Sequence, residues 1–183
     1  KGQIIDQKAK PNPEVKYLFN SVGLNVQIKK TGFSYDVYEV EKKASKKKLS
    51  TSKDAVNPKL NKKQNQETEY TSKYHRVDIN LVNANTNVQI EAEGKSPDYE
   101  NYYNLEHNPK GVEKVHRYQR IIYKNIYNNV DLVFFKPEDS SKTVEYNFLV
   151  RPGGKVSDIK MKFDGAKTKR KDGKLAMALR FGE

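Results

Sequence analysis

Asp131 is the residue whose setting most invites chemistry. It stands in Val130-Asp131-Leu132-Val133-Phe134-Phe135, an otherwise apolar run. A carboxylate buried there must be paired or hydrogen-bonded. Two roles compete for it. With Glu145 it would form an acid–base pair, burial raising the pKa of the general acid. Alternatively it is a structural anchor, accepting backbone N–H bonds or pairing with a nearby Lys or Arg. No third positioned group accompanies the two carboxylates, and the chain contains no Ser-His-Asp arrangement, Gly-x-Ser-x-Gly elbow or glycine-rich nucleotide loop. That absence favours the anchor, and the chain reads as a non-enzyme.

Metal chemistry needs convergent ligands at recognisable spacing. His75, His107 and His116, with Glu106 or Glu113, are the available nitrogen and oxygen donors, but their spacing fits no established ligand motif. Glu91, Glu93, Asp98 and Glu100 would suit Ca2+ by charge, yet no glycine-pivoted loop orders them, so surface charge balance is the expectation. There is no cysteine, hence no disulfide, zinc-thiolate site or thiol nucleophile. No cofactor is expected.

Two groups of side chains suit binding. Tyr99, Tyr102, Tyr103, Tyr118, Tyr123 and Tyr127 fall in a short span. Core packing with hydroxyls at the rim is the default for such rings, whereas exposed rings beside Asn and Lys can stack on sugars or bases. The second group is cationic. The net charge is +12, and from Lys42 to Lys63 nine lysines against Asp54 supply +8 of it. Such a run is usually a solvated tether. If Lys46, Lys47 and Lys48 held a polyanion, binding would weaken steeply with salt. Nucleic acid is not expected, because the strands supply few basic side chains to line a groove.

The elements that position these residues follow from hydrophobic periodicity. Val144, Tyr146, Phe148 and Val150 alternate with Glu145, Asn147 and Arg151, the period-two pattern of a half-buried strand, with Leu149 the exception. The Val130–Phe135 run, apolar on both parities, suits a central strand covered on both sides. Antiparallel pairing of the two with an even residue sum puts Val130, Leu132 and Phe134 on the face of the apolar set; an odd sum would bury Glu145 and Asn147. Pro152 and Gly153-Gly154 end the second arm.

Earlier in the chain, residues 1–14 form an extended lead-in with Pro11 and Pro13. Strand patterns at Val15–Phe19, Leu24–Lys29 and Phe33–Val40, joined at Val22-Gly23 and Thr31-Gly32, make a meander. The third changes apolar parity between Val37 and Tyr38, which predicts a bulge or burial on both faces. Residues 42–73 read as a long Lys-rich insertion loop. His75–Val82 and Val88–Ala92, around Asn83-Ala84-Asn85-Thr86-Asn87, predict a second hairpin, and a strand covers about Val115 to Tyr123. Ile159, Met161 and Phe163 alternate with polar residues, and Lys171-Asp172-Gly173 turns the chain into a last strand at Leu175, Met177, Leu179 and Phe181. No helix longer than a turn or two is expected. About ten short strands imply an all-β fold, an antiparallel β-sandwich or two packed sheets, in a single domain over residues 1–183. That last pattern is still running at Glu183, so the chain is expected to be part of a longer one. No apolar run is long enough for a transmembrane helix.

Several blocks carry a family resemblance: Lys1-Gly2-Gln3, Val82-Asn83-Ala84-Asn85, Asn101-Tyr102-Tyr103, Ile126-Tyr127 leading to Val130-Asp131-Leu132-Val133, Glu145-Tyr146-Asn147-Phe148 to Pro152-Gly153, and Phe163-Asp164-Gly165-Ala166. Together they resemble the N-terminal domain of large exported bacterial surface proteins. Those proteins carry β-propeller-type (SBBP) repeats downstream, or a gliding-motility-type C-terminal sorting domain used in type IX secretion. The resemblance spans almost the whole chain, and departs from the family at Asn147, where Asp is usual, and at the 42–73 insertion. It implies a non-catalytic module at the outer surface of a Gram-negative bacterium, acting in display, adhesion or assembly. Its implied partners are downstream domains of the same polypeptide and surface protein or glycan. The alternative is a carbohydrate- or polyanion-binding module using Tyr99, Tyr102 and Tyr103 or the lysine loop.

Overall fold

A computed structural model describes residues 4, 10–43, 69–103, 111–139 and 142–181. Strands β1 (Val15–Ser21), β2 (Leu24–Lys29), β3 (Gly32–Lys43) and β4 (Glu69–Leu81) form a meander, completed by β11 (Met161–Asp164) beside β4. A second sheet has the order β10-β9-β8-β5, from β5 (Gln89–Glu93), β8 (Arg120–Tyr127), β9 (Val130–Phe135) and β10 (Glu145–Val150). Two ribbons stand apart, β6 (Tyr99–Tyr102) with β7 (Val112–His116), and β12 (Lys167–Lys171) with β13 (Lys174–Ala178). Every pairing is antiparallel. Val156–Asp158 forms a single 3-10 turn.

The two larger sheets pack face to face, because each carries one apolar face. Val26, Ile28, Phe33, Val77 and Ile79 of the first sheet share a core with Ile121, Tyr123, Val130, Leu132 and Phe134 of the second. Phe33 is the centre of contact, its ring 5.2 Å from Phe134 and 5.0 Å from Tyr146. Buried tyrosines also tie sheet to sheet through their hydroxyls: Tyr123 donates to the Lys29 carbonyl at 2.6 Å and Tyr127 to the Lys160 carbonyl at 3.1 Å. This is an all-β, two-sheet sandwich.

The β9–β10 hairpin has the even register that its apolar residues require, with Val150 opposite Val130, Phe148 opposite Leu132 and Tyr146 opposite Phe134. β9 is interior in its sheet. Leu149, the parity exception, is half exposed on the outer face. Asp172 and Gly173 both take positive φ in the two-residue turn between β12 and β13, the conformation that matches strand twist there.

Three expectations are corrected and one is narrowed. The Asn83–Asn87 segment is a crossover between sheets, because β4 pairs with β3 and β11 while β5 pairs with β8. Alternation identified both strands but carried no information on partner. Of the two readings of the parity change in β3 the bulge is excluded, since the strand pairs with β4 without a break from Gly32 to Lys43; Val37 and Tyr38, on opposite faces, are both partly buried, and the residues beyond make a two-stranded arm past the edge of β2. Lys42, Lys43 and Glu69–Lys73 consequently belong to strands, so the insertion is shorter than residues 42–73. The strand expected at Val115 to Tyr123 is two strands, β7 and β8, in different sheets.

Candidate functional site

Asp131 sits at an irregularity in the ladder. Tyr123 pairs with Leu132 and Tyr127 with Val130, so β8 places Lys124, Asn125 and Ile126 opposite Asp131 alone. Such an insertion leaves backbone groups without ladder partners. Asn125 takes φ +51 there, and its N–H donates to Asp131 Oδ1 at 2.7 Å. The other oxygen faces Arg151 Nη1 at 3.2 Å and Lys124 Nζ at 4.0 Å. A carboxylate occupies an apolar strand because it closes the bulge of its neighbour. Arg151 is aimed by the end of β10: its N–H donates to the Asn129 carbonyl at 2.9 Å, and its guanidinium also donates to Asn125 Oδ1.

Glu145 does not join this group. It pairs with Phe135, four residues along β9 from Asp131, and its carboxylate takes Lys142 instead. The two candidate acid–base groups therefore hold separate cations, roughly 13 Å of strand apart.

The histidines are held by backbone. His116 Nδ1 donates to the Ser96 carbonyl at 2.9 Å. His75 Nδ1 accepts the Arg180 N–H at 2.8 Å, which makes Nε2 the protonated nitrogen that donates to the Gly165 carbonyl at 2.8 Å. Glu106 and His107 lie outside the described residues. The acidic residues divide between elements: Glu91 on β5 faces Lys124 at 3.7 Å, and Glu100 on β6 faces Arg117 at 3.8 Å. Among the described residues no group of three or more His, Asp or Glu side chains is placed to hold a metal ion.

On the outer face of the first sheet an ion-pair network covers Ser34, which has no exposed surface. Ser34 Oγ donates to Asp78 Oδ1 at 2.7 Å and accepts from Arg76 Nη2 at 2.9 Å. Asp78 also takes Lys29 Nζ at 2.6 Å and Arg76 Nε at 3.0 Å. Burial by itself would raise the Asp78 carboxyl. The hydrogen bonds from Arg76, Lys29 and Ser34 outweigh it and hold the group well below the usual carboxylate range.

The tyrosines separate into two populations. Tyr123 and Tyr127 are core residues with hydroxyls at the rim, and burial pushes both phenols above their ordinary value. Tyr99, Tyr102 and Tyr103 are 52%, 45% and 57% exposed, on or beside β6, whose four residues all face solvent. Tyr99 stacks edge-on against His116 at 5.7 Å, and Tyr102 donates to Glu100 at 2.5 Å. The β6–β7 ribbon thus presents three half-exposed rings to solvent. Lys46, Lys47 and Lys48 lie outside the described residues.

One cleft escaped sequence reasoning. Asn83, Asn85, Asn125, Asn128, Asp158 and Lys160 line a polar depression of about 490 Å³ at the crossover end of the sandwich. Asn85 shapes its wall, donating to the Asn125 carbonyl at 3.2 Å and accepting the Asn87 N–H at 2.9 Å. The clustering of asparagines at 83–87 and 125–129 was visible in the chain, but only the crossover brings the two groups together.

A family model described as a domain of unknown function (DUF7948) matches residues 1–183. No curated protein and no solved structure matches the chain.

Proposed function

The chain belongs to the family described as domain of unknown function DUF7948, and from that premise we propose that it is a non-catalytic recognition module of a larger exported bacterial surface protein, acting in display, adhesion or assembly. The observation that carries this reading is the exposed set Tyr99, Tyr102 and Tyr103, held on a short ribbon outside the core. Burying such rings would stabilise the sandwich; leaving three of them in water suits contact with another surface. A non-catalytic role is supported by Asp131 and Glu145 being committed to separate ion pairs. The surface setting rests on the resemblance of the blocks between Lys1 and Ala166 to exported proteins.

Glycan is the contact that the ribbon suits best, since ring faces stack on the apolar faces of sugars while Asn101 and Glu100 stand beside them. In the test, labelled domain is added to intact bacterial cells and to glycan isolated from their surface. Adhesion should survive high salt and weaken by about tenfold in Tyr102→Ala/Tyr103→Ala, from the loss of two stacking rings. Unchanged adhesion in that variant, or turnover of the glycan, would remove this reading.

A further inference from the structure

We propose that the outward face of the β12–β13 ribbon binds an anionic polysaccharide. Charge arithmetic identifies the place. Outside the Lys42–Lys63 run the chain has a net charge of only +4. Lys167, Lys169, Arg170, Lys171 and Lys174 against Asp172 account for all of it, leaving the rest of the chain neutral. Among the described residues none of these five cations forms an ion pair with a carboxylate. Every residue of β12 is exposed.

Register puts four of the cations on one side. Lys167 lies opposite Ala178, Lys169 opposite Ala176 and Lys171 opposite Lys174, so these six share a face. The other face carries Met177, and Met177 packs against the sandwich core together with Ala166 and Leu179. The lysine face therefore points away from the body of the domain. Successive lysines on β12 stand roughly 7 Å apart, the two-residue repeat of a strand. Lys171 and Lys174 are like charges directly across from each other, which costs stability in an isolated ribbon. An anion between them converts that repulsion into attraction.

The small side chains of Ala176 and Ala178 leave a flat strip on which an extended chain can lie against the lysines. A linear polymer with regularly repeated carboxylate or sulfate groups matches that shape and sign. Nucleic acid fits less well: single strands need aromatic platforms for their bases, and this face has no ring. The ribbon is firmly based, because His75 bonds both the Gly165 carbonyl before it and the Arg180 amide after it.

Titration calorimetry on the whole chain tests the assignment, with a heparin oligosaccharide as sulfated probe and a polygalacturonate oligomer as carboxylated probe. A neutral dextran oligomer and a single-stranded oligonucleotide serve as controls. At least one acidic glycan should bind about tenfold or more tightly than either control, and Lys169→Ala/Lys171→Ala/Lys174→Ala should weaken it by about tenfold or more. Lys46→Gln/Lys47→Gln/Lys48→Gln should leave it unchanged, which separates this site from the tether. Circular dichroism checks the fold; should the triple variant be unfolded, the single reversal Lys169→Glu replaces it and should weaken binding too. The proposal is overturned if neither acidic glycan binds, if the oligonucleotide binds more tightly, or if the ribbon variants bind normally.

Discussion

The backbone amide of Arg180 donates to His75 Nδ1 at 2.8 Å, while the opposite ring nitrogen of His75 holds the Gly165 carbonyl at the same distance. One imidazole on β4 therefore clips both ends of the β12–β13 ribbon. Only the neutral ring, protonated on Nε2, can do this, since imidazolium has no acceptor left for Arg180.

His75→Phe should loosen the base of the ribbon while leaving the sandwich intact. Each lost bond is worth about 1 kcal/mol. Native-state hydrogen exchange should show the Arg180 amide losing protection while those of β8 and β9 keep theirs. Equal protection at Arg180 in the variant would show that the clip carries no weight.

Asp131 gives a graded pair of substitutions. Asp131→Ala removes the acceptor of the Asn125 amide and the partner of the half-exposed Arg151 together, and should cost about 3 kcal/mol in urea unfolding, most of it from the amide left unsatisfied. Asp131→Asn keeps an oxygen for the amide but sets an uncharged NH2 donor where Arg151 had an acceptor, so a smaller loss of about 1 kcal/mol is expected. If the two variants were equally destabilised, the bulge-closing bond would not be the important one.

Acid stability should depend on Asp78. Its carboxyl is held below the ordinary range in the folded protein. A depressed group contributes stability above its unfolded value of about 4 and loses it as pH falls toward the folded value. Asp78→Asn should therefore lower the unfolding midpoint near neutral pH and converge on the wild type in strong acid. A constant difference across that range would contradict the linkage.

On the alkaline side the signs reverse. Burial, the largest cause, raises the phenols of Tyr35 and Tyr123, with further repulsion from Tyr146 and Tyr17 respectively. A raised phenol contributes full stability below its unfolded value of about 10 and loses it as pH climbs beyond. Tyr123→Phe forfeits the bond to the Lys29 carbonyl, so it should be less stable at neutral pH yet lose less stability above about pH 10. Thermal melts at stepped pH would read both effects.

Phe33→Ala should be the most damaging single change among these. The ring lies against Phe134 and Tyr146 of the facing sheet, and its removal opens a cavity where the sheets meet. A cost of about 3–5 kcal/mol is expected in denaturant. A loss below about 1 kcal/mol would mean that the sheets can collapse onto the gap.

How much the chain discloses by itself depends on the range of the interaction involved. Alternation along Val144–Val150 and the double-sided apolarity of Val130–Phe135 set which residues face the core and which parity of pairing is allowed, because side-chain direction in a strand is a local property. Asp172-Gly173 likewise specifies its own turn. Partner choice is not local. Nothing in Val88–Ala92 says that it pairs with Ile121–Lys124 and not with the strand before it, so the Asn83–Asn87 crossover was invisible, and with it the asparagine cleft. The need of Asp131 for a partner followed from its apolar neighbours, but its partners did not: Asn125 offers its amide because β8 bulges at that point, and Arg151 reaches over from β10. The basic residues of β12 were equally legible as charges, while their gathering on one outward face required Met177 to be drawn into the core. Residue type and local period determine what each side chain can do; long-range packing decides which of them meet.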